Sequence, residues 1–95
     1  MIIGNPVTEG LVEIQNDTMQ PTLPAGSLVV LNYADTSERD GLAMIEQAGQ
    51  RKIARISFNG DQVTVWGDNT AYPSKQCQRG DLAVIAHVLR QYAIL

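Results

Sequence analysis

Apolar and polar residues alternate in short stretches along most of the chain, and Gly, Pro, Asn and Asp cut those stretches at close intervals. A period of two broken this way predicts strands joined by turns. No segment carries the spacing of an amphipathic helix. Leu11-Val12-Glu13-Ile14 reads as a first strand. Asn16-Asp17-Thr18-Met19 then opens a polar turn, with room for a single helical turn, because Asp and Thr side chains accept bonds from following backbone N–H groups. Pro21 and Pro24 stop any helix there, since each lacks a donor and disfavours helical backbone in the residue before it. The run Ser27-Leu28-Val29-Val30-Leu31-Asn32-Tyr33 is apolar and rich in branched side chains, which predicts a core strand covered on both faces.

Residues 35–41 form a polar loop, and residues 42–47 and 51–58 form a hairpin around Ala48-Gly49-Gln50. Asn59-Gly60, set between Ile56/Phe58 and Val63/Val65, predicts a second, tight hairpin, because both residues tolerate the positive φ that such turns demand. Trp66 ends that strand, and the turn-rich residues 67–80 read as an irregular surface connection. From Leu82 to Leu95 the chain is apolar on both alternating faces. A strand of that kind at a sheet edge would expose backbone and apolar surface, and pairing with a second copy would cover both. Under strict alternation Val84, Val88, Tyr92 and Ile94 share one face. They are the candidate self-association surface, the alternative being that this face is the core side.

Ninety-five residues suffice for one domain with one modest core, so residues 1–95 are read as a single domain. With 44% apolar and 18% charged residues the composition is that of a globular chain, and no apolar run nears the roughly 20 residues that span a bilayer. Met1-Ile2-Ile3 runs at once into Gly4-Asn5-Pro6, leaving neither a basic region nor a long apolar one for a secretory leader, so a cytoplasmic location is expected. A formal charge of −3 argues against nucleic-acid binding by this segment itself, since phosphate contacts need clustered cations. Arg51, Lys52 and Arg55, the only basic cluster, read as a solvated strand face. Cys77 is the single cysteine, and with His87 as the only other soft ligand neither a disulfide, a metal site nor a cofactor is expected. Asp35, Glu38, Asp40 and Asp61 read as solvating loop charges, Trp66 and Tyr72 as packing residues. His87 reads as structural rather than as a base for Thr18.

The stretch Asp17-Thr18-Met19-Gln20-Pro21-Thr22-Leu23-Pro24-Ala25-Gly26-Ser27-Leu28-Val29-Val30 resembles the D-S-M-x-P-T-L-P-x-G-D-L-V-x-V signature of the C-terminal domains of LexA, UmuD and lambda-type phage repressors. Asp40-Gly41, Ile53-Ala54-Arg55-Ile56, Asp68-Asn69 with Tyr72-Pro73, and Val84-Ile85-Ala86-His87-Val88-Leu89 follow in that family's order and spacing, so the resemblance runs from about Leu11 to Leu89. It implies a mostly β fold of the LexA/signal-peptidase type, built of several small coiled antiparallel sheets. It also implies a serine nucleophile and a lysine base that cut a backbone bond upstream of the domain.

Both dyad positions are substituted. Thr18 stands at the serine position, where its extra methyl stiffens χ1 and crowds the oxygen. Ala54 stands at the lysine position, inside Ile53-Ala54-Arg55-Ile56 where relatives read V-K-R-L. Lys52, two residues earlier on the same strand face, is the candidate displaced base. Arg55 cannot serve, because a guanidinium stays protonated. No Ala-Gly or Cys-Gly dipeptide, the bond that relatives cut, precedes Thr18.

The resemblance therefore implies a degenerate autopeptidase acting as an assembly domain: a homodimer or higher oligomer that contacts DNA only through an N-terminal domain preceding these residues, and supports cooperative operator binding. An antirepressor protein or RecA would be the partner that relieves repression, and no membrane partner is expected. The alternative is slow self-cleavage by Thr18 and Lys52 in an SOS-type response.

Overall fold

Strands form where the alternation runs and turns form where Gly and Pro interrupt it. The computed structural model describes residues 8–94; the leader reading of residues 1–6 and the last position of the final predicted strand lie outside them. The strands are β1 (Glu9–Glu13), β2 (Leu28–Asn32), β3 (Gly41–Gln47), β4 (Gln50–Asn59), β5 (Gln62–Trp66), β6 (Lys75–Gln78) and β7 (Ala83–Tyr92), with one short 3-10 turn, Arg79–Asp81, before β7. Every pairing is antiparallel, in one sheet of order β1-β2-β7-β3-β4-β5-β6. The fold is mostly β, as expected. No helix among the described residues is long and apolar enough to cross a membrane.

The period of two places apolar side chains on both faces of this sheet, and each face carries its own core. Ala43 and Ile45 of β3, Ala54 and Ile56 of β4, and Val63 and Val65 of β5 join Leu82 and Val84 in one cluster. Their sequence neighbours Leu42, Met44 and Ile53 turn the other way, against a second cluster of Ile14, Met19, Leu23, Val29, Leu31 and Ala86. In β2 only Val29 and Leu31 are fully buried, while Leu28 and Val30 are half-buried, so that strand is covered on one face rather than both.

The turns are tight, and one is offset from its expected place. Gln47 pairs with Gln50, which leaves Ala48 (φ 53°) and Gly49 (φ 78°) as the two central residues of the first hairpin. Asn59 pairs with Gln62, so the second turn centres on Gly60 and Asp61, one residue later than the Asn-Gly pair suggested, and Gly60 alone carries the positive φ, 61°.

The last strand does not lie at either end of the sheet: β7 sits between β2 and β3, and the terminal strands are β1 and β6, although β3 pairs only with residues 83–87 of β7. Nor do Val84, Val88, Tyr92 and Ile94 share a face. Ile45 pairs with Val84 and Met44 with Ala86, leaving Ile85 unmatched, and Leu31 pairs with Val88 and Val30 with Arg90, leaving Leu89 unmatched. Each extra residue reverses the alternation. Val84 is therefore core, Val88 packs against the second cluster, and only Tyr92 and Ile94 stay exposed, at 53% and 52%.

A further correction concerns residues 67–80, which contain β6. Lys75-Gln76-Cys77-Gln78 carries one apolar side chain and so shows no alternation, yet its backbone continues the sheet beyond β5.

Candidate functional site

Thr18 lies in the turn that leaves β1. The turn is clipped at its base by two backbone bonds, Ile14 N–H to the Ser27 carbonyl (2.7 Å) and Gly26 N–H to the Ile14 carbonyl (2.8 Å). Met19 and Leu23 are buried to 1% and 0% exposure and pin it to the second core, with a further bond from Leu23 N–H to the Met19 carbonyl. The bonding is that of successive turns, and the anticipated helical turn does not form.

The segment after β5 holds this turn from the other side. Asn69 donates its backbone N–H to the Thr18 carbonyl (3.0 Å) and its side-chain amide to the Asp17 carbonyl (2.9 Å). The Tyr72 hydroxyl donates to Asp17 Oδ1 at 2.6 Å. Tyr72 is thus an exposed clamp rather than a packing residue. Asp68 accepts two bonds from Arg55 (2.6 and 3.0 Å) and one from the Thr22 hydroxyl (2.5 Å), which ties β4, the loop and the turn together.

The Arg55 guanidinium, with help from Thr22, holds the half-buried Asp68 carboxyl below the usual carboxylate range, and Asp68 in turn raises Arg55. The ionised Asp17 beside it pushes the Tyr72 phenol up. A carboxyl depressed in the folded state contributes stability above its unfolded value near pH 3.9, and that contribution is lost as pH falls through the folded value. Asp68→Asn is therefore expected to cost about 2 kcal/mol at neutral pH, with the gap to the unaltered protein closing below about pH 4. Urea denaturation at stepped pH reads both, and a gap that stays constant to acid pH would contradict this account.

The turn, β4 and the β5–β6 connection enclose a cleft of about 220 Å³ lined by Thr18, Lys52, Ala54, Val65, Trp66, Gly67, Tyr72, Pro73 and Lys75. All three positions singled out in the sequence, Thr18, Ala54 and Lys52, meet here. Ala54 is 4% exposed and belongs to the first core, so its methyl group closes the cleft where an amine would be desolvated. Lys52 shares the cleft because β4 runs without a bulge from Gln50 through Ile56 against β3, keeping positions 52 and 54 on one face. Lys75, on β6, was not visible in the sequence as a site residue, because its strand was not.

The Thr18 hydroxyl donates to Asn16 Oδ1 at 2.8 Å, and the same oxygen accepts the Thr18 backbone N–H at 3.2 Å. An amide oxygen takes a hydrogen bond but is too weak a base to remove a hydroxyl proton. Lys52 and Lys75 are both exposed, and neither bonds Thr18. A lysine becomes a neutral base chiefly through desolvation, which neither side chain has.

The remaining candidates lie elsewhere. His87 is 2% exposed, its Nε2 donates to the Ser37 carbonyl (2.8 Å), and its backbone N–H bonds the Asp35 carbonyl, so it orders the β2–β3 loop and does not line the cleft. Asp35 accepts the Ser37 hydroxyl and pairs with Arg39, which together hold its carboxyl well below the ordinary range. Asp40 accepts the Phe58 backbone N–H at 2.8 Å. Arg51 and Arg55 pair with Glu46 and Asp68 rather than forming a basic track with Lys52. Among the described residues no group of three His, Cys, Asp or Glu side chains converges.

Residues 3–89 match the family profile described as Peptidase S24-like. No curated protein matches the chain.

Proposed function

We propose, from the premise that this chain belongs to the peptidase S24-like family, that it is the C-terminal assembly domain of a repressor of the LexA and phage-repressor kind, with a peptidase site that no longer cuts. The observation that carries the assembly half is the open stretch of β7. Residues 83–87 pair with β3 and residues 87–92 with β2, so beyond His87 the side of β7 toward β3 has no strand partner among the described residues. Leu89 and Tyr92 stand exposed on that stretch at 47% and 53%, and Ile94, just past the strand with its N–H bonded to Ser27 Oγ, is exposed at 52%. An unpaired edge with apolar side chains suits the same edge of a second copy across a two-fold axis. Two copies so joined would hold two DNA-binding domains at paired half-sites, raising their effective concentration.

The silent half is supported by the cleft. Its hydroxyl is given to an amide oxygen, its lysine position is an alanine, and its two lysines are solvated. Relief of repression would then fall to a protein that binds the domain, an antirepressor, rather than to self-cleavage stimulated by RecA. A second reading, slow self-cleavage with Lys52 as base, is favoured by the one fact that Lys52 and Thr18 line the same cleft.

Sedimentation across concentration tests the first reading. The chain is expected to dimerise, and Leu89→Asp with Tyr92→Asp to weaken the dimer by at least about 100-fold, since charge placed in an apolar contact costs several kcal/mol. A strict monomer at all concentrations removes the assembly reading. For the second, a version carrying the upstream DNA-binding domain should remain one intact band at alkaline pH. A discrete fragment that disappears in Lys52→Ala would establish the peptidase instead.

A further inference from the structure

The seven cations of this chain divide in a way their sequence positions do not suggest. All five arginines have an acidic partner: Arg39 with Asp35, Arg51 with Glu46, Arg55 with Asp68, Arg79 with Glu38 and Arg90 with Glu9. The two lysines have none among the described residues, and both line the Thr18 cleft. They reach it from different strands, Lys52 from β4 and Lys75 from β6, where it stands opposite Val65. Two like charges brought to one small cleft repel each other, and in a chain of net charge −3 an unmatched cationic spot stands out as a place for an anion.

The remaining lining says what kind of anion. Trp66, Val65, Pro73 and the ring of Tyr72 offer apolar and aromatic surface beside the lysines, and Thr18 and Gly67 add little bulk. At about 220 Å³ the cleft is smaller than the roughly 300–1,000 Å³ of small-molecule sites and suits a side chain or two of a peptide. The chain's own residues 1–7 contain no Asp or Glu, so they cannot supply the missing charge. Glu9, the first acid after them, is paired with Arg90.

We propose that this cleft is a docking site for an acidic peptide segment of a partner protein, with a carboxylate held between Lys52 and Lys75 and the adjoining apolar side chain against Trp66 and Pro73. The site goes beyond the assembly reading and does not depend on it, because the cleft and the open stretch of β7 share no residue.

Trp66 is the only tryptophan, so its emission reports on the cleft directly. The chain is titrated with two blocked peptides free of aromatic residues, Leu-Ala-Asp-Glu-Leu-Ala and its amide counterpart Leu-Ala-Asn-Gln-Leu-Ala. The acidic peptide is expected to shift the emission and to bind at least tenfold more tightly than the amide version, with an affinity that falls as salt rises. Lys52→Gln with Lys75→Gln should lose at least tenfold for the acidic peptide, and the paired Lys→Arg changes should restore most of it. No emission change with either peptide, equal affinity for both, or undiminished affinity in the Gln variant each overturns the proposal. Mass spectrometry of the recovered peptide and sedimentation of the same samples separate the readings. A cut peptide removes the silent-site reading and leaves docking in place, whereas a dimer without peptide affinity removes docking and leaves assembly.

Discussion

Gly67→Ala is expected to cost this domain about 3 kcal/mol or more, the largest loss for a methyl group added at any of the described glycines. A Cβ on Gly67 would overlap the Thr18 carbonyl oxygen and stand 3.0 Å from its carbon. Both are backbone atoms and cannot swing aside. The same carbonyl accepts the Asn69 N–H at 3.0 Å, so moving it away from Gly67 also strains the bond that fastens the turn. Gly67 is not at positive φ, which makes the effect one of space alone. Gly49 provides the comparison: it has φ 78° and nothing within 4 Å of a built Cβ, so Gly49→Ala should cost only about 1 kcal/mol of backbone strain. Urea unfolding of the two variants, with the m-value checked for constancy, measures the difference. A Gly67→Ala protein within about 1 kcal/mol of the Gly49→Ala one would mean that the turn does not lie against the β5–β6 connection as described.

The second large effect is chemical. Thr18→Ser with Ala54→Lys should create a serine that reacts with a fluorophosphonate at least about 100-fold faster than Thr18→Ser alone, the range that general-base assistance supplies. Ala54 is 4% exposed, so a lysine there loses most of its hydration, which shifts it toward its neutral form. The neutral amine takes the hydroxyl proton as the serine oxygen displaces fluoride from phosphorus. Stability should move with it: a lysine whose folded pKa is depressed by about two units destabilises the fold by about 3 kcal/mol at neutral pH. Since the unfolded chain then binds more protons, stability should recover as pH rises from the folded pKa toward about 10.4. Labelling unaffected by Ala54→Lys, or abolished by Lys52→Ala in the double variant, would show that position 54 does not face the hydroxyl. The Asn16 carboxamide, which holds the Thr18 hydroxyl, would compete for the proton of the introduced serine, so adding Asn16→Ala should raise the labelling rate further.

How far the sequence announced these features depends on whether side chains or backbone carried the signal. β3, β4 and β5 stand out because apolar and polar residues alternate, and β2 and β7 because branched apolar residues run on with little interruption, and the motif around Thr18 together with Ile53-Ala54-Arg55 pointed to one cleft before its walls were known. β6 was hidden because a mostly polar edge strand owes its form to its neighbour's hydrogen bonds and little to its own burial. Lys75 was hidden with it. The face assignment of Val84 failed for a related reason: a bulge is one unpaired residue, and nothing in Val84-Ile85-Ala86 distinguishes a bulged Ile from a regular one. Asp68 and Asn69, read as turn formers, make the bonds that fasten Thr18 in place, and a polar residue's long-range partner leaves no periodic trace.

The position of β7 has a consequence for how this domain comes into being. Its neighbours in space, β2 and β3, are made well before it, and no direct strand pairing joins them, so the β1–β2 pair and the β3–β6 meander form one continuous sheet only when β7 is available. On a translating ribosome both pieces wait with open edges while the last strand is still in the exit tunnel. Assembly can finish only after release of that segment, through contacts between residues far apart in the chain, which is the slow class of folding reaction and the one most exposed to wrong partners on the way.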